Sequence, residues 1–134
     1  MAIFSFVKNA IQNKKINIFN KGNHQRDFTY IDDVADITTK ILLTKKHSKN
    51  EIYNIGNNKP VKLSRLIYLI EKKLNLKIKK KLLPFQKGDV LKTYANINKT
   101  KNDFNYNPRE NIETGLSKFI KWYKDYNNIF DDVN

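Results

Sequence analysis

The residues Ile16-Asn17-Ile18-Phe19 and Phe28-Thr29-Tyr30-Ile31 are two runs of β-branched and aromatic residues on either side of a polar stretch containing Gly22. Such runs predict two strands joined by a turn. Directly afterwards, Asp32 or Asp33 offers an N-cap oxygen to a helix, from about Asp33 to Thr44, whose apolar positions Val34, Ile37, Ile41 and Leu42 fall three or four apart. Arg26 falls near the end of the turn, so its guanidinium is expected between a strand and a helix start, beside the ring of Phe19. A guanidinium offers a planar fork of donors suited to phosphate oxygens, and an aromatic ring offers a stacking face. Together they suit the phosphate and base of a nucleotide. The competing reading pairs Arg26 with Asp27, Asp32 or Asp33 and buries Phe19 in the core.

The rest of the chain is read by the same periodicities. Ile3, Phe4, Phe6, Val7 and Ile11 mark an amphipathic helix over Ala2 to Gln12. Lys45 to Lys49 is a charged loop, Glu51 to Ile55 a strand stopped at Gly56-Asn57-Asn58, and Pro60 to Leu63 a short extended piece. Ser64 is expected to cap a helix striped by Leu66, Ile67, Ile70 and Leu74. Lys77 to Leu83 reads as an exposed or edge strand whose lysines discourage further pairing, and Pro84 ends it. A loop over Phe85 to Val90, a short strand over Leu91 to Ile97 and a helical turn over Asn98 to Asp103 follow. Asn111 is expected to cap a last helix with Ile112, Leu116, Phe119, Ile120 and Tyr123 facing inward.

With 40% hydrophobic residues, eight Phe and seven Tyr among 134 residues, the chain can bury a core and is not a disordered tail. Its formal net charge of +13 raises the question of nucleic acid. Only Arg26, Arg65 and Arg109 are arginines, however, and the lysines are scattered among Asn and Ile, which fits solvated lysine faces better than a built nucleic-acid groove. The charge still steers anionic ligands inward, less so in salt. With no cysteine, disulfide and thiolate chemistry are excluded. Ala2 to Ile11 has neither the basic flank nor the cleavage site of a signal peptide, and no apolar run approaches the ~20 residues of a membrane span, so a cytoplasmic protein is expected.

The Arg26-Asp27-Phe28-Thr29-Tyr30-Ile31-Asp32-Asp33 stretch resembles the C-terminal half of NAD-dependent nucleotide-sugar epimerases and dehydratases, the extended short-chain dehydrogenases. Three further pieces stand in the family's order: Tyr53-Asn54-Ile55-Gly56, then Gln86-Lys87-Gly88-Asp89-Val90 with Thr93-Tyr94-Ala95, then Phe104-Asn105-Tyr106-Asn107-Pro108. Together they look most like the UDP-glucuronate 4-epimerase branch, over roughly residues 1–127. The resemblance implies that Arg26 contacts the diphosphate of a UDP-sugar, Phe19 the base and Asp89 the ribose hydroxyls, with Asn54 close to the nucleotide. Some relatives carry arginine where Gln86 stands; Lys87 then offers a substitute point charge. Gln25 is a weaker candidate, and His24 and His47 read as surface histidines without ligand neighbours.

The family's catalytic base is a Tyr-x-x-x-Lys pair. Tyr68 and Lys72 have that spacing, but Tyr68 points off the apolar stripe of its helix, and the pair follows the Arg26 motif where the family's precedes it. The four glycines, 22, 56, 88 and 115, contain no Gly-x-Gly-x-x-Gly turn for a dinucleotide pyrophosphate. Met1 matches a position inside the family's chain. The expectation is therefore an α/β partial domain over residues 1–134, of short strands with amphipathic helices. It would be the C-terminal substrate-binding portion of an extended short-chain dehydrogenase, lacking the Rossmann NAD domain, truncated or one half of a split enzyme. The chain itself would hold no cofactor, NAD belonging to the complete family enzyme, and its partners would be a UDP-sugar, a separate NAD-domain chain or further copies of itself. A stand-alone nucleotide-sugar binding module and a basic nucleic-acid-binding protein remain the alternatives.

Overall fold

Apolar spacing decides where the helices lie, and burial of their stripes decides how they pack. In the computed structural model, which describes residues 2–44 and 51–129, the order is α1 (Ala2–Ile11), β1 (Ile16–Phe19), β2 (Gln25–Arg26), α2 (Ile31–Leu43), β3 (Val61–Lys62), α3 (Leu63–Leu74), β4 (Lys80–Leu83), α4 (Asn98–Phe104) and α5 (Ile112–Tyr126). The main core joins Phe6, Val7 and Ala10 of α1, Ile16 and Ile18 of β1, Leu66, Ile67, Leu69 and Ile70 of α3, and Leu116, Ile120 and Tyr123 of α5. A second cluster joins Ile37 of α2 to Ile97, Phe104 and Tyr106, with Ile41, Tyr53, Ile55 and Ala95 against it. Leu42, counted on the apolar face of α2 by spacing, is 77% exposed.

The strands differ from the sequence expectation. Phe28 to Ile31 is not a strand, and no hairpin joins it to β1. Instead β1 pairs in parallel with β4, Ile16 opposite Lys80 through Phe19 opposite Leu83, while β2 pairs antiparallel with β3. A parallel partner has to come from far along the chain; β4 takes the place the hairpin would have filled. A helical turn at Asn20–Gly22 leads the chain away from the end of β1. Glu51 to Ile55 and Leu91 to Ile97 also form no strands; their backbone is held by side chains, and only Lys92 makes an isolated bridge, to Gln25. The Lys45 to Lys49 loop lies outside the described residues.

Two caps move as well. Tyr30 and Lys62 are the N-cap residues of α2 and α3, and neither caps through its side chain. Ser64 is inside α3. Asp33, which spacing offered as a cap for α2, is buried, and its carboxylate accepts the backbone N–H groups of Arg109 at 3.0 Å and Glu110 at 3.1 Å. The Asn57 side chain donates to the carbonyls of Phe28 and Glu110, stitching the same segments together. Asn111 does cap α5, accepting from Thr114 N at 2.8 Å.

Removing the buried Asp33 carboxylate would leave two partly buried donors unpaired, each at a cost. Asp33→Ala is expected to lower stability by about 3 kcal/mol in urea unfolding. Asp32→Ala, whose exposed side chain only approaches Lys118, should stay within about 0.5 kcal/mol of the parent.

Candidate functional site

Strand β2 holds Arg26 between two neighbours. On one side it pairs with β3; on the other, Gln25 N donates to Leu91 O at 2.8 Å and Gln25 O accepts from Thr93 N at 3.1 Å. The Arg26 side chain is three-quarters buried, and it finds none of the neighbouring aspartates. Its Nη1 donates to Gln25 O at 2.9 Å, and its Nη2 donates to Asp89 Oδ1 at 2.7 Å, 63 residues along the chain. A charge-assisted contact of this length is about twice as strong as a neutral one. Folding thus brings together two of the residues picked out from sequence.

Asp89 closes a β-turn, its N–H donating to Gln86 O at 3.1 Å. Gly88, third in that turn, has φ +84°, the left-handed region a glycine occupies without strain. Gln86 and Lys87 are exposed on the turn, while Asp89 is half-buried and also accepts from its neighbour Val90 N. Phe19, at the end of β1, is half-buried opposite Leu83, from which Pro84 and Phe85 lead into this turn. Asn54 is exposed, and its amide donates to Asn96 O while its carbonyl accepts from Thr100 Oγ1; these contacts tie it to the start of α4.

His24 corrects the sequence reading most sharply. It is 3% exposed, stacked on Phe85 at 5.6 Å, and its Nε2 lies 3.4 Å from Asp89 Oδ2. Leu63 N donates to its carbonyl, fixing the residue where β2 meets α3. Nothing local marked it, because the ring that covers it lies 61 residues away. His47 lies outside the described residues. Tyr68 is half exposed on α3 with the Arg65 guanidinium over its ring, and Lys72 is exposed.

Behind Arg26 sits a residue that sequence reasoning treated only as a possible ion-pair partner. Asp27 Oδ2 accepts from Asn58 N at 3.0 Å and Ala95 N at 3.1 Å, and Oδ1 from Lys59 N at 3.4 Å. Gly56 packs against this hub so closely that an added Cβ would fall 2.4 Å from Ala95 Cβ and 2.9 Å from Asp27 Oδ2. Tyr106 donates its hydroxyl to Gly56 O at 2.9 Å. The Asn-x-Gly-Asn-Asn stop around Gly56 was the one signal of such a close approach. Among the described residues no cluster of three metal-ligating side chains occurs.

A guanidinium held by one carboxylate can exchange that partner for a phosphate oxygen, and the carboxylate then has free lone pairs for hydroxyl donors. The match to known proteins is in keeping with this chemistry. The model of the NAD dependent epimerase/dehydratase family matches residues 1–56. An uncharacterised protein of Methanocaldococcus jannaschii is 50% identical over 123 residues, covering 92% of this chain and 37% of that protein. UDP-glucuronate 4-epimerase 5 of Arabidopsis thaliana is 40% identical, over 92% of this chain and 32% of its own length. Among solved structures, UDP-glucuronic acid 4-epimerase from Bacillus cereus, in complex with UDP-glucuronic acid and NAD, superposes with a TM-score of 0.83 at 32% identity, over 92% of this chain and 40% of that one.

The chain matches part of an enzyme of the NAD-dependent epimerase/dehydratase family. It is similar to the UDP-glucuronate 4-epimerases and spans about two fifths or less of the length of these relatives. Its mixed α/β arrangement of short strands and helices matches part of an extended short-chain dehydrogenase. Among the described residues no helix is long and apolar enough to cross a membrane.

The hub also carries a pH signature. Burial first, then the charges of Asp33 and Asp27, push the Tyr106 hydroxyl up to about 12 from 10.0. The folded state therefore keeps this proton where the unfolded chain releases it, so the contribution to stability is complete below about pH 10 and is lost as pH rises towards 12. Urea unfolding followed between those pH values should show stability falling, with a shallower fall in Tyr106→Phe.

Proposed function

We propose that this chain is the UDP-sugar-binding portion of an NAD-dependent nucleotide-sugar epimerase of the UDP-glucuronate 4-epimerase kind, and that it is not catalytic by itself. The observation that carries the reading is the Arg26–Asp89 pair, a three-quarters-buried guanidinium whose second nitrogen is occupied by a half-exposed carboxylate at 2.7 Å. In this reading the diphosphate displaces Asp89 from Arg26. Asp89, released, accepts the ribose hydroxyls, Phe19 stacks on the uracil, Lys87 and Gln86 attend the phosphates from the turn, and Asn54 lies at the edge of the nucleotide. The +13 charge speeds the approach of such an anion.

By the resemblance, hydride chemistry would need NAD and a Tyr-x-x-x-Lys pair ahead of the Arg26 motif. With glycines only at 22, 56, 88 and 115, this chain offers no dinucleotide turn of its own. Ile31, Leu42, Leu43, Trp122 and Tyr126 are at least half exposed, apolar side chains on α2 and α5 whose surface an NAD-domain chain or a further copy would cover. At high concentration, sedimentation is expected to show self-association. A monodisperse monomer would count against that surface being covered by copies.

The binding test is an amide-shift titration with UDP and UDP-glucuronate, with a short oligonucleotide as competing anion. Saturable shifts at Phe19, Arg26 and Asp89 for the UDP ligands are expected, with affinity in Arg26→Ala about tenfold to a hundredfold weaker. A folded chain that UDP leaves unmoved would sink the reading.

A further inference from the structure

His24 has no part in the binding scheme above, yet its burial needs a reason. A buried polar atom without a hydrogen bond costs free energy, and an apolar side chain of similar size would fill the space beneath Phe85 without that cost. The Nε2 atom of His24 has no hydrogen-bond partner, and it faces Asp89 Oδ2 at 3.4 Å, in contact but out of bonding geometry. The two oxygens of Asp89 are unequally used. Oδ1 takes Arg26 Nη2 at 2.7 Å and Val90 N at 2.8 Å, while Oδ2 faces only the imidazole among these groups.

Two acceptors on one carboxylate thus look towards two donors, one engaged and one waiting. A ligand phosphate that takes Arg26 would strip Oδ1 of its charged partner. A half-buried carboxylate left that way is destabilised, with only Val90 N still on Oδ1, and can turn about that contact. A movement of a few tenths of an ångström would bring Oδ2 within hydrogen-bond distance of Nε2.

We propose that His24 is a positioning residue for Asp89: when an anionic ligand draws Arg26 away, His24 Nε2–H donates to Asp89 Oδ2 and holds the carboxylate in place for the ribose hydroxyls. The inference rests on the nucleotide-sugar reading of the same site. It predicts that His24 acts on recognition of the ribose and not of the phosphate. The stacked Phe85 keeps the imidazole from swinging out, since the ring lies under an aromatic face with 28° between planes. Arg26 lies on the far oxygen of Asp89, and the backbones of Lys62 and Lys92 flank the neighbouring Gln25 as its register partners.

The test compares UDP with 2′-deoxy-UDP by calorimetry on the full chain and on two variants. His24→Met keeps the volume and removes the donor; His24→Gln keeps an N–H at a similar reach. The parent is expected to prefer UDP. His24→Met should bind UDP about tenfold more weakly while binding the deoxy analogue almost as before, and His24→Gln should restore most of the preference. In the parent, UDP should move the Nε2–H resonance of His24 downfield. Arg26→Ala should weaken both ligands alike. If His24→Met folds and keeps the parent's UDP preference, the histidine only fills space and the inference falls while the binding reading stands. If the parent binds neither nucleotide, the binding reading fails and takes this inference with it. Should His24→Met not fold, the parent's Nε2–H resonance decides, and no change on adding UDP overturns the proposal.

Discussion

The carboxylate of Asp27 is the joint on which this molecule turns. Three backbone N–H groups, from Asn58, Lys59 and Ala95, point at its two oxygens, so two stretches of chain without a sheet ladder of their own end on one side chain. Asp33 does the same for Arg109 and Glu110. Backbone donors withdrawn from water need partners, and where no neighbouring strand supplies carbonyls, a carboxylate can serve several at once. Asp27 and Asp33 are therefore spent on amides and Asp32 faces Lys118, so Arg26 is left to find Asp89.

That division explains how a chain of such high charge seats one guanidinium in a defined place. Most of its lysines are exposed, and exposed ion pairs such as Lys118 with Asp32 contribute little and weaken with salt. The Arg26–Asp89 contact differs because the guanidinium is largely withdrawn from water and lies on a strand flanked on both sides. Parallel pairing of β1 with β4 brings the end of Phe19's strand to the root of the Asp89 turn, so strand register and turn geometry together set out the group of residues around Arg26.

Much of the architecture is written in local pattern. The stripes of α1, α3 and α5 are legible because a helix buries every third or fourth residue whatever it packs against. The Asn111 cap and the positive φ of Gly88 are legible because each depends on residues within a turn of itself. The strands were not. Phe28 to Ile31 has the composition of a strand, but pairing depends on which backbone comes alongside, and β4 arrives beside β1 from some 60 residues later in the chain.

Taken alone, the sequence determined which residues could bury a core and where the last helix begins, and it marked Arg26 and the Gln86–Asp89 turn as candidates for a site. Only the tertiary structure decided what each polar group faces: Asp33 turned from its own helix to the amides of Arg109 and Glu110, and His24 buried beneath Phe85 against Asp89. The reason is one of range. Propensity and periodicity act over a few residues, whereas a buried carboxylate or imidazole takes its partner from whatever segment the packing of the apolar faces carries to it.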